Sequence, residues 1–180
     1  MTTTEAEPGP PSDPVRPDDR EVLRQQLGRV PRGLAGIGAR CRCGKPLVAV
    51  TAPRLEDGTP FPTTYYLSHP AIVMACSRLE AAGLMAQMTA ELGEDAELAA
   101  AYRRAHEAYL ADRAALAASL GLGEVHEIDG FSAGGMPERV KCLHALVAHA
   151  LAAGPGVNPI GDRALGLIRE EWRPELCLCE

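Results

Sequence analysis

At 180 residues, with 46% hydrophobic, 23% charged and only 4% aromatic side chains, the chain is long enough to bury one core without staples. No stretch approaches the ~20 apolar residues of a membrane-spanning helix, and the N-terminus lacks the basic-then-apolar order of a secretory leader. Membrane partners are thereby excluded, the expected setting is the cytoplasm, and the net charge of −6 speaks against nucleic acid.

The charge is uneven. Residues 1–19 carry five acids and one base, whereas no acid lies between Glu21 and Glu56, where Arg24, Arg29, Arg32, Arg40, Arg42, Lys45 and Arg54 all fall. That basic run suits either an anion, with Arg54 as one binding residue, or acidic helices of the same protein.

Residues 1–17, rich in Pro, Gly, Thr and acids, read as a disordered tail, followed by a globular domain over 18–180. A short helix is predicted over "DDREVLRQQLG", capped by Asp18 or Asp19. The glycines of "RGLAGIGARCRCG" predict a loop or irregular extended segment. "PLVAVTA" (46–52) reads as a buried strand, and "TPFPTTYYLS" (59–68) as its antiparallel partner across an Asp57-Gly58 turn. Helices are predicted over 70–92, 95–120, 137–153 and 162–172, with Pro70 and Pro137 as first helical residues and Asp162 as a cap. The expected fold class is α+β, helix-dominated, with about four main helices packed on one small hairpin.

Two cysteine pairs share one spacing, in "RCRCG" and "ELCLCE". Reduced thiols of a cytoplasmic chain are free or metal-bound more naturally than paired in disulfides. An extended C-x-C segment points its sulfurs to opposite faces, so both bind one ion only where the backbone turns. The densest reactive run is "RVKCLHALVAHAL", where Cys142 and His149 share a helical face two turns apart and His144 projects elsewhere. Cys142, early in a helix beside Lys141, also has the setting of a nucleophilic thiol. The "SAGG" loop before that helix pairs Gly134 and Gly135 with Arg139 and Lys141, a pattern suited to a phosphate or carboxylate. In "GPGVNPIGD", Asn158 offers a polar group for a site or a cap.

The segments "RCRCGKPLV", "PRLEDGTPFPTTYYLSHP", "SRLEAAGLM", "AYRRAHEAYLADR", "SAGGMPERVKCLHALVAH" and "GPGVNPIGD" occur in an order that resembles the bacterial domain-of-unknown-function 501 family, from about residue 30 to 168. The family has no established activity. Its motifs R-C-x-x-G-x-P, L-x-H-P or L-x-C-P, and K-C-L-H fall on Cys41, His69, Cys142 and His144, leaving Cys43, Cys177 and Cys179 outside. The resemblance also implies association with an exopolyphosphatase-type or septum-formation protein.

The leading expectation is one metal ion, zinc favoured, held by Cys41, His69, Cys142 and His144 or His149, with a phosphate-bearing ligand nearby and a metal-dependent hydrolase as the enzymatic form. The competing classes are a non-catalytic interaction module whose cysteines pack or hold a structural ion, and a Cys142 thiol enzyme. The cysteine spacings match no ferredoxin pattern, which argues against an iron–sulfur cluster.

Overall fold

The computed structural model describes residues 12–179. Among these residues six α-helices accompany a three-stranded antiparallel sheet, with α1 and α5 packed on its strands, so the helix-dominated α+β expectation holds. In chain order these are α1 (Asp19–Leu27), β1 (Leu34–Arg40), β2 (Pro46–Thr51), β3 (Tyr65–Leu67), α2 (Pro70–Ala81), α3 (Leu84–Glu94), α4 (Ala96–Ser119), α5 (Leu143–Ala153) and α6 (Pro159–Leu167). The expected hairpin is β2 with β3, in the register Val48–Leu67 and Val50–Tyr65.

The central strand β2 is buried at all six positions, as its unbroken apolar run demands. Its side chains alternate. Ala49 joins Ile37 and Leu23 of α1 on one face, while Val48 and Val50 turn to the main core with α5. Of the two expectations for the glycine-rich segment, loop or irregular extended stretch, the second holds: it is strand β1, with register shifts along it, and its glycines serve close approach rather than flexibility. A Cβ on Gly38 would lie 2.9 Å from the Ala152 methyl, and one on Gly36 would meet Ser12 at 3.0 Å. Of the tail expected over 1–17, residues 1–11 lie outside the described residues. Asp13, by contrast, exchanges two backbone hydrogen bonds with Ile37 and extends the sheet edge.

Three helix boundaries differ from expectation for local reasons. The helix expected over 70–92 breaks at Gly83, whose φ of +82° ends α2 and starts α3. The helix expected from Pro137 begins at Leu143 instead. Residues 134–142 fold back, with the Gly134 carbonyl accepting from the Lys141 and Cys142 amides and the Gly135 carbonyl from Glu138 and Arg139. Thr89 Oγ1 accepts from the Val140 amide and Tyr102 donates to the Arg139 carbonyl, which fastens this loop to α3 and α4. Finally α6 starts at Pro159, capped by Asn158 rather than Asp162.

Asn158, expected to serve a site or a cap, takes the cap, and together with His149, expected as a metal ligand, it holds the core together. Asn158 Oδ1 accepts from the Gly161 amide while its Nδ2 donates to His149 Nδ1 at 3.1 Å. The imidazole is fully buried, stacked on Tyr65 and edge-on to Tyr109. With its Nδ1 lone pair occupied, its proton sits on Nε2, so neither nitrogen is available to a metal. Burial pushes the His149 pKa down to about 4. Gly161 is the point where α6 crosses α5: an added Cβ would lie 2.3 Å from the Leu146 carbonyl oxygen.

Because the folded pKa of His149 lies below its unfolded value, the stability it confers is complete above pH ~6.5 and lost as pH falls toward about 4. The stability advantage of the native chain over His149→Phe should therefore shrink by about 3 kcal/mol between pH 7 and pH 4 in urea titrations; an advantage independent of pH would show that the ring titrates in the fold as it does in the unfolded chain. Gly161→Ala should cost about 3 kcal/mol at neutral pH, since the atom it meets is backbone.

Candidate metal and thiol centres

All six cysteines are free thiols, and they separate into different surroundings. Cys41, Cys43, Cys177 and Cys179 form one group, with every sulfur within 4.8 Å of the others. Around a zinc ion with ~2.3 Å bonds, tetrahedral sulfurs stand about 3.8 Å apart, so this spacing fits one ion with little movement. The first pair converges because the chain turns between β1 and β2. Gly44 adopts φ +89° and donates to the Cys41 carbonyl, while the Cys41 amide donates to the Lys45 carbonyl. The second pair arrives on the irregular segment after Trp172, where Arg42 donates to the Glu175 carbonyl at 3.0 Å.

The electrostatics of this group are uneven. The Lys45 amide is the main cause that brings Cys43 down to about 7, whereas burial pushes Cys41 and Cys179 up. The second cause for Cys179 is the neighbouring sulfur of Cys41. His69, the buried cap position of α2, stands beside the group with Nε2 3.4 Å from Cys179 Sγ. Its Nδ1 is buried without a hydrogen-bond partner.

A second centre lies where α2 meets the start of α5. Glu80, Cys142 and His144 bring one carboxylate oxygen, one sulfur and one ring nitrogen within 4.8 Å of each other. His144 Nδ1 is 3.0 Å from Glu80 Oε1, and Nε2 is 3.1 Å from the Val73 carbonyl and 3.2 Å from Ser77 Oγ. Ser77 gives its own proton to the same Val73 carbonyl, so both imidazole nitrogens face acceptors and the ring is held as an imidazolium. His144 is raised to about 9, chiefly by Cys142 with Glu80 adding to it, and Cys142 is lowered chiefly by His144. The Glu80 carboxylate also accepts from the Leu143 amide and so caps α5. A groove of about 380 Å³ opens beside Cys142 and His144, walled by Leu27, Tyr66, Leu67 and Val73. A hollow of about 520 Å³ beside Arg113 is lined by none of the cysteines.

The structure thus divides the five expected metal ligands. Cys41 belongs to the first centre with His69 at its edge, Cys142 and His144 to the second, and His149 to neither. The reason is topological: Cys41 sits on the β1–β2 turn, while Cys142 starts a helix that packs across the sheet. The amides of Glu138, Arg139, Lys141 and Cys142 are spent on the Gly134 and Gly135 carbonyls and α5 starts only at Leu143, which removes the helix-terminus basis for an anion beside Arg139 and Lys141. Arg54 forks onto both Glu127 oxygens, at 3.0 and 2.8 Å, and donates to the Gly58 carbonyl.

Sequence reasoning set Cys43, Cys177 and Cys179 aside and missed Glu80 altogether. The matched C-x-C spacing, with glycine directly after the first pair, was the signal for the former. Glu80 carried none, since one acid on an amphipathic helix looks like a solvated charge.

A search of the curated proteins and of the solved structures finds no match. The family model described as protein of unknown function (DUF501) matches residues 37–166, which takes in the whole second centre but only the first cysteine pair of the first. By that match over most of its length, the chain belongs to the DUF501 family.

Proposed function

We propose that this protein binds one zinc ion through Cys41, Cys43, Cys177 and Cys179, and that the ion clasps the C-terminal segment to the β1–β2 turn. The observation that carries this is the convergence of four sulfurs, from two segments far apart in the chain, within 4.8 Å of one another. Thiolates are soft ligands, and a four-sulfur tetrahedron is the closed arrangement of structural zinc. Such a site leaves no position for a water, which favours an ion that holds the fold over one that activates a nucleophile. Its effect on the fold is specific. The clasped segment leads away from Trp172, which is 2% exposed, and lays Cys179 against His69, whose ring centroid is 6.5 Å from that of the indole.

Protein purified without added metal should carry about one equivalent of zinc, measured by plasma emission, given the tight binding of such sites. Replacing Cys177 and Cys179 together by Ser should remove it, whereas Cys142→Ser should retain it. Metal kept by the double variant, or lost with Cys142, would overturn the assignment. Chelation should also shift the fluorescence of Trp172, the single tryptophan, toward that of an exposed indole as the segment is released. An unchanged spectrum after complete removal of metal would mean that the ion does not hold the segment.

A further inference from the structure

The second centre has no part in the clasp, and its parts have the order of an acyl-transfer site. Cys142 occupies the cap position of α5, an eleven-residue helix, where the Ala145 amide of the first turn favours its thiolate. The His144 ring stands beside the sulfur, and Glu80 fixes the ring from the other element through Nδ1 at 3.0 Å. Val73 and Ser77 hold the opposite nitrogen, so the ring cannot turn away without breaking hydrogen bonds at both ends. Nucleophile, imidazolium and orienting carboxylate thus meet in one place, as they do in thiol enzymes, although here the second ring nitrogen rests on Val73 and Ser77 rather than on the sulfur. A structural cysteine would be sealed in apolar packing, as Cys76 is, at 0% exposure and pushed up to about 12 by burial. Cys142 instead borders an open groove.

We propose that Cys142 is a nucleophile that accepts an acyl group from an ester or thioester with an apolar acyl chain, with His144 as proton carrier and Glu80 as its positioning residue. The acyl chain lies along Leu27, Tyr66, Leu67 and Val73, which make the groove wall apolar where it meets the sulfur. In the first step the Cys142 thiolate attacks the carbonyl carbon. A carbon–sulfur bond forms, the carbon–oxygen or carbon–sulfur bond to the leaving group breaks, and the leaving group takes the proton of His144. In the second, water gives a proton to His144 and adds to the carbonyl carbon. The bond to Cys142 breaks, and the acid departs with the thiolate restored. No oxidant, reductant or metal enters the balance.

This inference uses residues separate from the zinc clasp, so either can fail alone. The test uses the full zinc-loaded chain, in which the other surface thiols are coordinated, and p-nitrophenyl butyrate as acyl donor. One butyryl group per chain, mapped to Cys142 by peptide mass analysis, should accompany a burst of nitrophenol followed by slower turnover. Cys142→Ser should lose the burst. Glu80→Gln keeps an acceptor for the Leu143 amide, so it should fold. It should nevertheless slow Cys142 alkylation by iodoacetamide about tenfold and lower the ultraviolet absorbance due to its thiolate, measured against Cys142→Ser. A purely structural Glu80 would leave that absorbance unmoved. Alkylation of Cys142 no faster than that of N-acetylcysteine, butyrylation elsewhere only, or a second equivalent of zinc lost with Cys142 would each overturn the proposal, the last by making the trio metal ligands.

Discussion

Four sulfurs gathered within 4.8 Å are the constraint on which the chain segment after Trp172 depends. Four thiolates at that distance would repel, and the four do not ionise together: the Lys45 amide brings Cys43 down to about 7, whereas burial is the main cause that drives Cys41 and Cys179 up. A divalent cation removes the conflict by making all four thiolates favourable at once. Without one, the segment after Trp172 is fastened by Arg42 on the Glu175 carbonyl and by the contact of Cys179 with His69.

The turn that carries the first pair is itself braced from the opposite side. Arg40, at the end of β1, forks onto Asp19 with both bonds under 3.0 Å and also donates to the Gly44 carbonyl. The pair is almost fully buried, with side-chain exposures of 9% and 6%. Removing either partner would strand a buried charge, which costs far more than a surface bridge. One guanidinium therefore joins the start of α1, the cysteine turn and, through Asp13, the edge segment before α1. The basic run in the sequence is spent largely in this way, with Arg32 on Asp57 and Arg54 on Glu127. Its charge is answered by acids of the same chain.

The two cysteine centres differ in what surrounds them. The first ties two stretches of irregular backbone and offers a closed set of four identical soft donors. The second stands on two helices, with mixed donors, hydrogen-bonded supports on both sides of the imidazole and a groove at its mouth. Rigid elements hold geometry better than loops, so the second centre, between α2 and the start of α5, has the firmer support of the two.

Much of the fold was legible because it rests on short-range rules. The stripe of Tyr102, Ala105, Tyr109 and Leu116 marks α4, the apolar run 46–51 marks β2, and the chain's ordered motifs mark its family. Strand β1 was hidden because Gly36 and Gly38 read as flexibility until Ser12 and Ala152 are seen lying against them. The delayed start of α5 was hidden likewise, since Thr89 and Tyr102, from other helices, claim the backbone of 139–140. Which thiols meet which partners lay beyond sequence entirely. A C-x-C pair converges or diverges according to one turn at Gly44, and Glu80 reaches His144 across 64 residues only because α2 packs on α5. Sequence determined the elements and the reactive residues available; the tertiary structure decided their company, because contacts between distant segments follow packing and leave no periodic trace in the chain.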